Sequence, residues 1–189
     1  MAAKLQLLPE EFALMSDPKW ILTKNSVMAK VVGMMAGLSD VYTGLLSDRM
    51  GSGNAKISRG ENYLGLPWVI LDHPRIFGRE DVLAIRTMFW WGHPFSVTLH
   101  LKGAYQALYV PVIERQRALL AEAGFHVSIG TDEWRHEWAA DNYVPLGEVE
   151  DIGRGRSFVK LYAAVGLDRM AEAPRLLEDL FRTLAHVLG

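Results

Sequence analysis

The residues of this chain with most chemistry to offer are Asp72, Arg86, Trp90, Thr98 and His100. An arginine can grip a carboxylate or phosphate through two parallel N–H bonds, and a histidine can move a proton near neutral pH. Tryptophan adds a flat apolar wall, threonine a hydroxyl, and aspartate a negative charge. Whether the five meet is a question of strand register. The run Phe95–Lys102 alternates strictly, with Phe95, Val97, Leu99 and Leu101 on one side and Ser96, Thr98, His100 and Lys102 on the other. That is the period of a half-buried strand. The run before it, Val82–Trp90, has apolar residues on both sides. Pairing Phe89 with Phe95 lines up Leu83, Ile85, Thr87 and Phe89 with the apolar side of the second run, whereas a slip of one residue drops Arg86 among Val97 and Leu99. The first register is therefore expected, with Gly92 and Pro94 in the turn. It sets Arg86, Met88 and Trp90 beside Ser96, Thr98 and His100, with Asp72 arriving from the strand before. The competing reading is structural: Arg86 neutralised by Asp72 or Glu61 beneath a long helix.

Two other clusters carry weaker signals. Arg59, Glu61, Asn62 and Tyr63 are rich in hydrogen-bonding groups, as a solvated loop would be. Glu133 and His136, within DEWRHE, make one Glu-x-x-His, a spacing used by di-iron bundles. Those sites need two copies and further carboxylates, so a polar helix surface is expected and neither metal nor cofactor is predicted. There is no G-x-S-x-G elbow, no H-E-x-x-H, and no G-x-G-x-x-G between a strand and a helix. The stretch GSGNAK, 51–56, lacks phosphate-loop spacing and reads as a flexible connection. Trp90 and Trp91 could stack bases, but without interleaved basic residues they suit a core or an interface better. No catalytic residue can be named.

The elements that must hold these groups follow from periodicity. Pro9, Glu10 and Glu11 suit the first turn of a short helix that Pro18 ends or interrupts. A longer helix is expected from Asn25 or Ser26 to about Asp48, with Met28, Val31, Met35, Leu38, Tyr42 and Leu45 as its apolar stripe. Gly33 and Gly37 on it have the spacing of a close helix contact, although ordinary packing explains them equally. Three strands follow, over 66–72, 82–90 and 95–102, with HPRIFGRED joining the first two. After them come an amphipathic helix with Pro111 in its first turn, stopped by Gly124, then a strand over 125–129 and a brief helix from Thr131 to Trp138. A loop over 141–156 leads to a strand over 157–165 and a last helix, with Leu177, Leu180, Leu184 and Val187 as its stripe. This is an α+β pattern. It predicts one domain over 1–189, with an antiparallel sheet of four to five strands packed by a long helix from the N-terminal half, a central helix and a C-terminal helix, and the other sheet face free to bind.

Composition narrows the function classes. At 189 residues, 50% of them hydrophobic and six of them tryptophan, the chain can bury a sizeable core. Its net charge of −2 gives no global field for nucleic acid or an anionic membrane, and neither is expected as a partner. With no cysteine, disulfides, thiolate nucleophiles and iron–sulfur clusters are excluded. The first residues do not read as a secretory signal, and the apolar window 27–46 carries Lys30 and Asp40, so a buried helix and a cytoplasmic location are expected.

The segments GENYLGLPWVILDHPR and AIRTMFWWG resemble a family of uncharacterised bacterial proteins in which GENY-x-GLP, LD-x-PR and R-T-M-F-W-W-G follow in that order. The likeness spans the middle third of the chain and extends weakly to DNYVP at 141–145. It implies a bacterial, intracellular protein and brings no activity, substrate or catalytic residue with it. Heavy apolar and aromatic content without a catalytic constellation points to a non-catalytic binding or protein-interaction module, self-associating or docking another protein. The alternative is an enzyme or receptor for a small anionic ligand at the Arg86 and His100 face.

Overall fold

The alternation of Phe95–Lys102 and its register against Val82–Trp90 set the centre of the molecule, and the sheet grows outward from that pair. In the computed structural model, which describes residues 5–46 and 54–189, β1 (Lys56–Tyr63), β2 (Leu66–Phe77), β3 (Val82–Trp90) and β4 (Phe95–Lys102) form an antiparallel meander. β4 then pairs with β7 (Phe158–Val165), β7 with β5 (His126–Ser128), and β5 with β6 (Tyr143–Pro145). The result is one seven-stranded sheet in the order β1-β2-β3-β4-β7-β5-β6. Ile85 lies opposite Leu99 and Leu83 opposite Leu101, the register that keeps the apolar residues together.

The expected four to five strands understate this sheet. β1 escapes a periodicity reading because KISRGENY mixes charges and a glycine, and three-residue β6 lies within the stretch read as loop. β2 does not stop at Asp72 but continues through HPRIF to Phe77. Between Asp72 and Arg75 its register shifts by one residue against β3, from Asp72 opposite Arg86 to Arg75 opposite Ala84. Such a bulge inserts an extra residue and reverses which side the following residues face.

One face of the sheet is apolar and covered by helices. α1 (Pro9–Ser16) precedes α2 (Pro18–Thr43), whose Met28, Val31, Met35, Leu38 and Tyr42 are buried as the three-four spacing requires. α3 (Ala104–Arg115) and α5 (Ala173–Leu188) pack on the same core, α5 through Leu177, Phe181, Leu184 and Val187. Phe181 stacks on Tyr42 with ring centroids 3.6 Å apart. The Tyr42 hydroxyl meets Thr87 Oγ1 at 3.2 Å and donates to the Leu177 carbonyl at 3.3 Å, satisfying the one hydroxyl that β3 points into the oil. Fully burying each large apolar side chain stabilises the fold by about 1.5–3 kcal/mol.

Several boundaries differ from expectation for local reasons. α2 begins at Pro18 rather than Asn25 or Ser26, because the Asp17 carboxylate accepts from Lys19 N at 2.9 Å and proline suits the first turn. It ends at Thr43; Asp48 and the glycines at 51 and 53 lie outside the described residues. Pro111 sits inside α3, since the helix starts seven residues earlier, where the Asp81 carboxylate accepts from Ala104 N at 2.7 Å. After a break at Gln116 the chain resumes as short α4 (Arg117–Glu122). Among the described residues, no neighbour lies within 4 Å of a Cβ built on Gly33 or Gly37, so their spacing makes no close contact there. Among the described residues, no helix is long and apolar enough to cross a membrane.

Candidate functional site

On the opposite face of the sheet, cross-strand partners form rows that mix charge with aromatic rings. One row runs Lys56, Asp72, Arg86, Thr98, Tyr162, and the next runs Arg75, Ala84, His100, Lys160. Arg86, Thr98, His100, Asp72 and Trp90 thus share a face, yet they do not converge on one point. Arg86 is held by Asp72 through two bonds, Nε to Oδ1 at 2.7 Å and Nη2 to Oδ2 at 3.0 Å. Its Nη1 lies 2.9 Å from His136 Nε2. Guanidinium can only donate, so this His136 nitrogen is an acceptor and the ring is neutral. Trp90 stacks on His93 at 3.5 Å and donates to the Tyr63 carbonyl at 3.1 Å, while Thr98 is buried.

Much of this face is covered rather than free, and its cover is not the long helix. Segment 129–142 lies across it, and DEWRHE within that segment does not form the expected helix. The buried Lys160 amine donates to the carbonyls of Glu133 at 3.1 Å and Arg135 at 2.7 Å, and faces the Tyr143 ring at 5.8 Å. The Tyr63 hydroxyl accepts from His136 N at 2.9 Å and donates to Glu137 at 2.7 Å. Lys102 pairs with Glu133 at 3.0 Å. The whole segment is therefore pinned to the sheet by side chains that arrive from β1, β3, β4 and β7.

Burial sets the protonation states in this network. It lowers the Lys160 pKa to about 8, with Arg86 adding repulsion. It lowers His136 to about 2, with help from Arg86 and Lys160, and His100 to about 4, where Lys160 opposes the charge and Glu133 favours it. His100 Nε2 approaches Glu133 Oε2 at 3.4 Å without hydrogen-bond geometry. Since the ring is neutral at pH 7, this contact is not an ion pair there. Glu133 and His136, the Glu-x-x-His pair, have separate partners, and among the described residues no three His, Asp or Glu groups converge on a metal position.

At the β1 edge of the cover a cavity of about 220 Å³ remains, lined by Lys56, Ser58, Asp72, Arg75, Phe77, Arg86 and Trp134. Sequence reasoning missed Lys56 and Arg75 here because β1 and the end of β2 read as connections, and Trp134 because its segment reads as a brief helix with a polar surface. Lys160 was also missed; its signal was a lysine in the middle of the apolar strand FVKLYAAV. Of the Arg59, Glu61, Asn62 and Tyr63 cluster, Tyr63 joins the network, while Glu61 pairs outward with Lys24 at 2.5 Å.

Comparison with protein-family models, curated proteins and solved structures found no match.

A second feature is apolar. α1 buries none of its residues, and ten residues of α2, 18–27, pass before the first buried one, Met28. At 1.5 Å per residue that is about 15 Å of helix beyond the core contact. Leu5, Leu8, Phe12, Leu14, Met15, Trp20, Ile21 and Leu22 are each more than half exposed. A cavity of about 500 Å³ lies in the elbow, between Glu10, Leu14, Asp17 and Trp20.

Proposed function

We propose that this protein is an interaction module that pairs with a second copy of itself through the arm made by α1 and the first ten residues of α2. The observation that carries this reading is the arm's apolar surface. Phe12, Leu14, Met15, Trp20, Ile21 and Leu22 on the arm, with Leu5 and Leu8 leading into it, are each more than half exposed and together present an area on the order of 1,000 Å², where a standard interface buries about 800 Å² per partner.

A second copy fits the arm's shape and charge. Two helical hairpins packed about a two-fold axis make a four-helix bundle, in which each arm supplies the cover the other lacks. α1 carries Glu10 and Glu11, and the exposed part of α2 carries Lys19, so antiparallel packing can bring opposite charges together at the rim. An anionic membrane surface suits the arm less well, because the polar side of such a helix is rich in lysine and arginine. Covering much of the polar sheet face with segment 129–142 also favours binding over catalysis, since His100 is buried there and His136 is half-buried with its Nε2 engaged by Arg86.

Light scattering coupled to size-exclusion chromatography tests the reading. The native chain is expected to run as a dimer at micromolar concentration, and Phe12→Ser with Trp20→Glu as a folded monomer. A native chain that runs as a monomer, or a double variant that still dimerises, removes the proposal.

A further inference from the structure

The cavity at the β1 edge of the polar face collects positive charge with little to balance it. Three cations, Lys56, Arg75 and Arg86, line it against one carboxylate, Asp72. That carboxylate is already engaged by Arg86 through two bonds. Among the described residues neither Lys56 nor Arg75 has an ion-pair partner; Arg75 instead lies over the Phe77 ring at 5.6 Å, with Arg86 over the same ring at 5.9 Å. Both guanidinium groups are thus gathered on one aromatic ring. Arg86 has five N–H donors, and Asp72 and His136 occupy three of them. Ser58 adds a hydroxyl, and Trp134 closes the cavity with an apolar wall.

The backbone places these groups deliberately close. Lys56 and Arg86 flank Asp72 in adjacent strands, so all three face the same way. Arg75, three residues after Asp72, would face the core in a regular strand. The bulge between them sets Arg75 opposite Ala84, on the polar side with Arg86. Like charges brought together on one face repel, and a bound anion of matching charge relieves that cost.

We infer that this cavity binds a doubly charged phosphoryl group, gripped by Lys56, Arg75, Arg86 and Ser58 with Trp134 against whatever carbon the group carries. A carboxylate is matched by a single arginine; three cations and a hydroxyl, approaching from three strands, suit a tetrahedral group with three or four oxygens. A water occupies about 30 Å³ of liquid, so 220 Å³ admits the phosphoryl group together with a short carbon chain or a few waters. The cavity uses none of the arm's apolar residues, so the site stands or falls separately from self-association.

Titration of the full-length protein with inorganic phosphate and with glycerol phosphate, by calorimetry at physiological salt, tests the inference. Saturable binding of at least one is expected. Lys56→Gln and Arg75→Gln, both exposed and absent from the core, should each weaken it about tenfold, as loss of one charge-assisted bond implies. Tighter binding of inorganic phosphate would identify free phosphate as the ligand, and tighter binding of the ester would identify the phosphorylated end of a small organic molecule. Absence of saturable binding by both compounds at low millimolar concentration, or undiminished binding by both variants, overturns the proposal. Repeating the titration on the Phe12→Ser, Trp20→Glu chain separates this outcome from that of dimerisation, and unaltered affinity is expected there.

Discussion

Buried His100 and half-buried His136 are held neutral, with pKa values of about 4 and about 2 in the fold against 6.5 when free. A histidine whose pKa falls on folding leaves the unfolded chain to bind the proton first. Its contribution is complete above pH 6.5 and drains away as pH drops through that value toward the folded pKa. Each unit of pH in that window costs about 1.4 kcal/mol per histidine, so between pH 7.5 and pH 5 the pair should remove on the order of 3–4 kcal/mol of stability. Urea unfolding at the two pH values measures this directly. His136→Gln, which keeps an acceptor for Arg86 but cannot take up a proton, should roughly halve the loss; a native chain equally stable at both would refute the neutral assignment. Asp72 makes a second single-residue case. Asp72→Ala leaves Arg86 part-buried without its carboxylate, and breaking such a pair costs about 3–5 kcal/mol. Unfolding of the single variants and of the double variant with Arg86→Ala, which removes both charges, should show the double losing much less than the two singles combined.

Among the elements, segment 129–142 explains both what the sequence could predict and where it could not. Thr131, Asp132 and Glu133 have the chemistry of a helix start, and Asp132 does accept from Trp134 N at 2.8 Å. A helix would send the carbonyls of residues 133 and 135 to the N–H groups of 137 and 139. Lys160 takes both carbonyls instead, and Tyr63 takes the N–H of His136. Those partners are 25 to 27 and 73 residues away, beyond the reach of any local pattern. The β3–β4 register was legible for the opposite reason: a slip there moves a charge into the core, so the pattern itself carries the penalty. The stripe on α2 was readable too, but its true start was not, because the solvent-exposed turns before Met28 have no apolar face turned to the core. Lys160→Met tests the pinning. It leaves two carbonyls without their donor and should destabilise the fold by about 1–3 kcal/mol. Hydrogen exchange should accelerate at the amides of 133–137, while β3 and β4 remain protected. Unchanged exchange across the segment would mean that Lys160 is not what holds it.

At the scale of the whole molecule, the sheet separates two environments, with oil and helices on one side and a polar network under an irregular strap on the other. The arm belongs to neither. The proposed pairing of two copies would cover that exposed apolar surface and make part of the stability depend on mass action. The apparent Tm of the native chain should therefore climb as protein concentration rises, while that of the Phe12→Ser, Trp20→Glu chain should stay constant. Differential scanning fluorimetry over a hundredfold range of concentration would show the contrast, and a flat native profile would contradict it.

The bulge in β2 has one more implication, for how the chain tolerates changes of length. Side chains along a strand follow a two-beat rhythm, and the extra residue between Asp72 and Arg75 is a skipped beat. Remove one residue there and every position from Arg75 to the end of β2 changes sides: Arg75 and Phe77 turn inward, and Ile76 turns out to solvent. A deletion of one codon would thus dismantle the cluster of positive charge while leaving each of its members in the sequence, so spacing in this stretch matters as much as residue identity.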